Sequence, residues 1–381
     1  MKKIICTATS FGYGPVSKLI TICKNLKKLG LELELIGDGI ALELANHTDY
    51  FNKVYRYNFT NIEDSSCIKF SKIFREADLM LNVLEPNAVL IANKYEIPTI
   101  YIDSLFWMWE DIPPILHNVK YYIAQRFPGI SSKIKRFSKE IKNFYLCGPI
   151  VDTSFTSEGG RDDLLLINFS GLETPFTKIG ENLYYPEAIM SNLISPLNES
   201  SWKEIVVTGN KSIMQHFKKL YGQFFRGHFK HLSHDNFLEL MSKAKMIITS
   251  PGLTTTYEAL VYGTPIRFLP PQNYSQALML NFYQRCGFSD ITLNWCDLYP
   301  DYIIPVDLPE EQGVFLVNNT IKRFSQDNLS QKIARNQFKK MIETPPPSIE
   351  NQREILGETL SDGVSEIVNI IKNEVLVEKK I

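Results

Sequence analysis

The 381-residue sequence predicts an α/β protein made of two Rossmann-like domains. Three observations point there. Short apolar, β-branched runs alternate with segments of helical period along most of the chain, the rhythm of parallel βαβ units. Several of those runs end directly in a glycine turn, as at Phe11-Gly12-Tyr13-Gly14-Pro15 and Ser250-Pro251-Gly252. A polar, glycine-containing stretch over 153–163 separates two such series, and each half is long enough to bury a core of its own.

The first series occupies residues 1–150. Lys3-Ile4-Ile5-Cys6-Thr7-Ala8 reads as a buried strand, and the turn at Gly12, Tyr13 and Gly14 leads into a helix predicted over 16–29. Leu19, Ile22, Cys23, Leu26 and Leu29 recur there at near-helical spacing. Gly30 ends that helix, residues 31–36 alternate as a second strand, and Gly37-Asp38-Gly39 turns into another helix. Residues 79–84 form a strand ending at Glu85-Pro86, with a helix over 87–95 behind it. Residues 98–102 form a strand ending at Asp103-Ser104. Parallel strands bring their carboxyl ends to one edge of the sheet, where open α/β sheets bind ligands, so Glu85 and Asp103 both reach that edge. Phe106, Trp107 and Trp109 follow. Core packing is the usual role of such aromatics, and a loop at the ligand edge offers the alternative of stacking on a flat acceptor. Residues 143–147 make the last strand of this half.

The second series runs over 151–348. Residues 164–169 open its sheet and end at Ser170-Gly171-Leu172; residues 205–208 are a further strand, ending at Gly209. A helix predicted to run to Ala244 has Ser233 or His234 as its N-cap, with Asp235 favouring the positive end. Met246-Ile247-Ile248-Thr249 is a buried strand, Leu253 to Leu260 starts a helix, Gly263-Thr264-Pro265 stops it, and Ile266 to Pro270 is the next strand. Pro345-Pro346-Pro347 marks a break, and residues 349–381 form a third segment of one or two terminal helices.

The glycine turn at Gly252 has a definite chemistry. The first four N–H groups of a helix lack intrahelical partners, and the helix dipole places partial positive charge beside them. Gly252 lets a bulky anion approach the backbone at Leu253, and Thr254, Thr255 and Thr256 offer hydroxyls beside the free amides. Such a turn suits a phosphate or diphosphate. Glu258 lies about one turn further on, where its two acceptor oxygens match a vicinal diol such as ribose. An ordinary βαβ unit with a surface glutamate has the same short pattern.

The whole run, G-x-x-T-x-x-E-x-x-x-x-G-x-P followed by a strand ending in Pro and then a Gln, resembles the donor-site signature of GT-B glycosyltransferases. Gly252, Thr255, Glu258, Gly263, Pro265, Pro270 and Gln276 carry the resemblance. The signature is found in UDP-glycosyltransferases and in the bacterial enzyme that adds N-acetylglucosamine to the peptidoglycan lipid intermediate. The resemblance implies two Rossmann-like domains facing across a cleft, with a C-terminal helix crossing back to the first. It implies that the Gly252 turn, with Ser170, Gly171 and Gly209, holds the diphosphate and Glu258 the ribose. The His234 loop would cradle the nucleobase, mostly through backbone groups, and Gln272 and Gln276 would face the donor sugar. Many members carry Asp-Gln where this chain has Ser275-Gln276, so the identity of the sugar does not transfer.

Composition excludes some classes. A formal net charge of −1 with 22% charged residues gives no electrostatic footprint for nucleic acid. Runs such as Lys133 to Arg136 read as solvated helix faces. No segment reaches the apolar length of a membrane span, and the basic N-terminus has too short an apolar run for a signal peptide, so a cytoplasmic location is expected. Cys6, Cys23, Cys67, Cys147, Cys286 and Cys296 are scattered, with no C-x-x-C pair, which favours free thiols. His228, His231 and His234 make a metal site only if further ligands join them in space.

A transferase of this class must stabilise a departing diphosphate and activate an acceptor. GT-B members do the first mainly without metal, and no D-x-D run ends a strand here. Neither metal nor cofactor is expected beyond a UDP-sugar co-substrate. Many UDP-glycosyltransferases carry a His in the first turn; this chain has Gly12-Tyr13-Gly14 instead. Asp103 and Glu85 are then the carboxylates placed to act as base, each with the alternative of capping a helix or closing a turn. More narrowly, F-G-Y-G-P, Y-I-D-S-L-F-W-M-W and N-F-S-G-L resemble cytosylglucuronate synthases, which join glucuronic acid from UDP-glucuronate to cytosine. That resemblance implies a planar nucleobase acceptor against Gly12, Tyr13, Gly14, Phe106, Trp107 and Trp109, and leaves Arg267 or Lys211 to meet a donor carboxylate. The expected partners are a UDP-sugar and a small acceptor, with a homodimer as a possible assembly. An inverting transfer is the expectation; a UDP-sugar 2-epimerase of GT-B architecture and a non-catalytic nucleotide-sugar-binding relative are the alternatives.

Overall fold

In the computed structural model the described residues are 2–59, 64–155, 160–172, 184–357 and 360–375, with backbone only over 64–69. They fall into two compact units, Met1–Asp152 with Glu358–Ile381, and Thr153–Gly357. Residues 156–159 of the stretch over 153–163, residues 358–359 and 376–381 of the terminal segment and the Cys67 side chain lie outside the described residues.

The first unit is built on seven strands: β1 (Lys3–Ala8), β2 (Glu32–Gly37), β3 (Lys53–Arg56), β4 (Leu79–Val83), β5 (Thr99–Asp103), β6 (Tyr121–Gln125) and β7 (Phe144–Cys147). Their order is β3-β2-β1-β4-β5-β6-β7, with every pairing parallel. A parallel sheet covered on both faces needs near-continuous apolar strands, and β1, β4 and β5 are buried along almost their whole length. Only the edge strand β3 is largely exposed, and it carries Lys53 and Arg56. The helix Gly14–Lys27 lays Val16, Leu19, Ile22, Cys23 and Leu26 into the core. It begins two residues before the predicted start because proline is tolerated in a first turn, where its missing N–H costs nothing. On the other face one cluster gathers Ile5, Ile36, Phe74, Met80 and Ile91, and a second gathers Tyr101, Phe106, Tyr122 and Phe137.

The terminal helix Gly363–Val375 belongs to this first unit. Gly148 N–H donates to Glu366 Oε2 at 3.1 Å, Gly363 N–H to Pro149 O at 3.2 Å, and Tyr121 Oη to Glu374 Oε2 at 3.1 Å. The backbones meet so closely that a Cβ on Gly363 would lie 2.1 Å from Gly148 O.

The second unit has strands β8 (Asp162–Asn168), β9 (Glu204–Thr208), β10 (His228–Lys230), β11 (Ala244–Thr249) and β12 (Ile266–Phe268). Their order is β10-β9-β8-β11-β12, again all parallel. Helices Tyr184–Glu199, Glu310–Gln326 and Asn328–Glu343 pack together beside the sheet. Arg267, on β12, is fully buried. Its guanidinium pairs with Asp290 at 2.6 Å and donates to the carbonyls of Met341, Thr344 and Pro345. The expectation that Arg267 meets a donor carboxylate is therefore corrected: its donors are spent tying β12 to the chain after the helix that ends at Glu343. Cys6, Cys23 and Cys147 are buried free thiols, Cys286 is half-buried and Cys296 exposed. Among the described residues no helix is long and apolar enough to cross a membrane, and no three His, Cys, Asp or Glu side chains are grouped to hold a metal ion.

Candidate functional site

In each sheet the chain turns back on itself beside the first strand, and ligands of open α/β sheets bind outside the carboxyl ends at that point. In the second unit β9 and β10 lie to one side of β8, and β11 and β12 to the other. The crevice therefore falls between the ends of β8 and β11. Asn168, a buried polar residue closing β8, pins it: its Nδ2 donates to Thr249 Oγ1 at 3.2 Å and its Oδ1 accepts from Ser170 N–H at 2.9 Å. Ser170 and Leu172 adopt positive φ, at 62° and 65°, and Asn210 N–H, just past Gly209, donates to Ser170 O at 3.0 Å. Gln272 Nε2 reaches Ser250 Oγ at 2.9 Å, and Gln276 Oε1 accepts from Gln272 N–H at 3.1 Å.

The helix Leu253–Tyr262 starts at this crevice with Gly252 as its N-cap, no side-chain cap and no acid in its first turn. Its first-turn amides have no acceptor within the helix. Gly252 has an ordinary φ of −92°, and a Cβ there would meet nothing closer than Ser250 O at 3.8 Å. Neither backbone strain nor packing calls for glycine, so the space kept open in front of the amides is what its missing side chain provides. Thr254 is buried and Thr255 half-exposed beside them. Thr256 is corrected: its hydroxyl donates back to Gly252 O at 2.9 Å and serves the helix.

Glu258 is buried one turn further along, and its Oε1 lies 2.9 Å from His234 Nε2. Ser233 Oγ accepts from Asn236 N–H at 3.3 Å, so Ser233 is the N-cap of the helix His234–Lys243 and His234 its first residue. The His234 side chain is thus engaged, where the sequence suggested backbone groups alone.

In the first unit β2 and β3 lie to one side of β1 and β4 to β7 to the other, so the crevice falls between β1 and β4. The turn through Gly12, Tyr13 and Gly14 leaves β1 here, with Gly12 at φ 55° and Tyr13 Oη donating to Glu43 Oε1 at 3.0 Å. Ser10 Oγ donates to Asp38 O at 2.7 Å. Glu85 follows β4 as the N-cap residue of the helix Pro86–Lys94, its N–H held by Asn82 Oδ1 at 2.9 Å. Burial pushes its carboxyl up to about 7, the Asn87 amide and Thr9 hydroxyl pull the other way, and Asp38 adds like charge.

Asp103 sits differently. It is fully buried; Oδ1 accepts from Leu105 N–H at 2.7 Å, and Oδ2 from Tyr122 Oη at 2.5 Å and Trp109 Nε1 at 2.9 Å. Burial pushes its carboxyl up to about 6 against those donors. A general base must be within reach of the acceptor, and this fully buried carboxylate instead closes the aromatic loop, which corrects the catalytic expectation for Asp103. Phe106 is corrected too: its ring is buried against Tyr122, Phe137 and Phe144 and has no face for an acceptor. Trp107 packs on Phe127 with ring centroids 4.5 Å apart, its Nε1 buried and unpartnered, while Trp109 is held by Asp103.

No protein-family model and no curated protein matches the chain. Solved structures do. The S. aureus MnaA–UDP co-structure matches at TM-score 0.55 and 14% identity, over 98% of this chain and 96% of that one. A UDP-glucosyltransferase from Polygonum tinctorium matches at 0.53 and 13%, over 99% of both chains. Acinetobacter baumannii MurG matches at 0.51 and 12%, over 98% and 100%. The matched span takes in both parallel sheets and the terminal helix. The chain has the GT-B fold.

Within this GT-B chain the second-unit residues taken from the sequence converge: Ser170, Gly171, Gly209, Gly252, Leu253, Thr254, Thr255 and Gln272 gather around one crevice, with Glu258 and His234 paired behind it. Gln276 reaches the crevice through Gln272. In the first unit, Glu85 lies with the Gly12 turn, whereas Asp103 and Phe106 belong to the core under the aromatic loop. Sequence reasoning passed over Asn168 and Asp38. The signal for Asn168 was available, since a polar residue ending an otherwise apolar strand has to be satisfied by something.

Proposed function

We propose that this chain is a glycosyltransferase that moves a sugar from a UDP-sugar to a small acceptor. The observation that carries it is the uncapped helix at Gly252, opening on the β8/β11 crevice with space kept clear before its amides. UDP in the MnaA structure and the glucosyltransferase activity in the Polygonum protein's description are in keeping with it. The acceptor's lone pair forms a bond to the anomeric carbon as the carbon–oxygen bond to the diphosphate breaks. The acceptor's proton passes to Glu85, and the negative charge gathering on UDP meets the amides and dipole at Leu253 to Thr255. Direct displacement inverts the anomeric centre.

The acceptor best matched is a planar heteroaromatic base, whose N–H is more acidic than an alcohol and asks less of a base; Gly12, Tyr13, Gly14, Trp107 and Trp109 remain its candidate contacts. Glucuronate on the donor and cytosine as acceptor form the specific version. Lys211, at the start of the helix Lys211–Tyr221, is the candidate we keep for a donor carboxylate once Arg267 is enclosed. Mass spectrometry of UDP-sugars incubated with and without cytosine tests both levels. A glycosylated base with free UDP supports transfer; an epimerised UDP-sugar formed without acceptor overturns it.

A further inference from the structure

The geometry points to Gln125 as the residue that reads the acceptor: its side-chain amide pairs with a planar pyrimidine that presents an N–H donor beside an acceptor atom, which rests on the acceptor reading above. Gln125 closes β6 at the carboxyl edge of the first sheet and is 1% exposed. Both polar atoms of its amide, Nε2 and Oε1, are buried without a hydrogen-bond partner. Asn82 and Asp103, near the same edge on β4 and β5, are by contrast satisfied within the chain. Asn82 bonds the backbone of Glu85 at 2.7 and 2.9 Å, and Asp103 accepts from Leu105, Trp109 and Tyr122.

Side chains alternate across a strand, so Gln125 lies on the face opposite Tyr122 and Ala124 of the aromatic cluster, level with Cys147 on β7. The terminal helix on that face directs its carboxylates elsewhere, Glu366 to Gly148 N–H and Glu374 to Tyr121 Oη. A buried amide that bonds nothing is costly, and methionine or leucine would fill similar space without that cost. The loop leaving β5 adds a second bare group. Trp107 Nε1 is buried and unpartnered, and its ring packs at 4.5 Å on Phe127, two residues past Gln125. An amide donates and accepts side by side, so it meets a donor–acceptor pair at two points. Cytosine carries such a pair in its 4-amino group and N3, and uracil in O4 and N3–H. Neither pair uses N1, the nitrogen left to bond the sugar.

Calorimetry on the full chain with 1-methylcytosine, 1-methyluracil and 1-methylpyrimidin-2-one tests this, since the third has no N–H and none of them can be glycosylated at N1. Wild type is expected to bind at least one of the first two roughly 10- to 100-fold tighter than the third. Gln125→Met, close in shape and unable to pair, should cut that preference to below about threefold without lowering the urea midpoint of the free protein. Should it not fold, Gln125→Leu takes its place. A variant that keeps the preference would show that an internal water serves the amide, and loss of folding in both variants would show the same; either overturns the proposal. Wild type with no preference for either base overturns it as well. Transfer is read separately, by mass spectrometry with UDP-glucuronate and cytosine. Its absence beside a Gln125-dependent preference would sink the transferase reading alone, and its presence without that preference would sink the role of Gln125 alone.

Discussion

Burial raises the Glu85 carboxyl to about 7, so around pH 6 the folded protein holds a proton there that the unfolded chain has already released. The native state binds more protons in that window, so stability falls as pH climbs from about 4.5 to 7, and Asp103, raised to about 6, adds to the same slope. A base works only when ionised, so on the proposed transfer turnover should rise through the same interval in which stability falls. Glu85→Gln should abolish most turnover while stabilising the fold above pH 7, by about 3 kcal/mol at most. Paired pH–rate and urea-melt profiles check both directions; activity surviving in the glutamine variant would remove Glu85 from the chemistry. Gly252→Ala separates ligand from fold in another way. Its conformation is ordinary and its surroundings open, so the alanine should change stability by less than about 1 kcal/mol. UDP affinity should nonetheless drop at least about tenfold, because the methyl group stands where the diphosphate must come. Melting curves run alongside titrations would show a loss of both or of neither if the glycine were merely structural. The helix start at Gly252 was legible in the sequence because a glycine between an apolar run and a helical period is a local signal. The opposite fates of Glu85 and Asp103 were not, since both end a strand and only the tertiary donors around Asp103 distinguish them.

Among the elements, nine of the twelve strands in the described residues were readable, because a sheet covered on both faces demands apolar runs that few other structures produce; the short edge strands β3 and β10 and the tyrosine-led β6 were passed over. Helix ends moved by a turn or less where proline or glycine governs them. The aromatic loop after β5 was the least readable. Its rings could face outward or inward on the same spacing, and the choice fell to the donors and rings around it: Trp109 donates to the buried Asp103 and Phe106 packs under Tyr122. The return of the terminal helix rests on a contact that sequence pattern does not show. Gly148 and Gly363 let two backbones touch, and a Cβ on Gly363 would lie 2.1 Å from a carbonyl oxygen that cannot swing away. Gly363→Ala should therefore cost about 1–3 kcal/mol and speed amide exchange over 363–375. Gly357→Ala, where a Cβ meets nothing within 4 Å and the backbone is right-handed helical, should be neutral or slightly stabilising. Equal effects of the two would mean that the terminal helix is held by its polar contacts alone.

At the scale of the whole molecule, one construction appears twice: a parallel sheet whose chain reverses beside its first strand, leaving a crevice at the carboxyl ends. The two copies are furnished for different work. The second-unit crevice has a bare helix start, a carboxylate fixed by an imidazole and a pair of glutamines. The first-unit crevice has a raised carboxyl beside a glycine turn, and the helices Gly14–Lys27 and Pro86–Lys94 that start there also lack side-chain caps, but each loses one first-turn N–H to proline. A nucleoside diphosphate should therefore favour the second unit, whose helix start keeps all its first-turn N–H groups and has no carboxylate at its N-cap. Hydrogen exchange with saturating UDP should show protection concentrated over 168–172, 209–212, 250–258 and 272–276, with amides of β1 and β4 unchanged. At a ligand concentration 100 times Kd, UDP binding to the native state adds about 2.7 kcal/mol to its stability. Protection of the Gly12 turn in place of the Gly252 turn would reverse the assignment of the two crevices while leaving the architecture untouched.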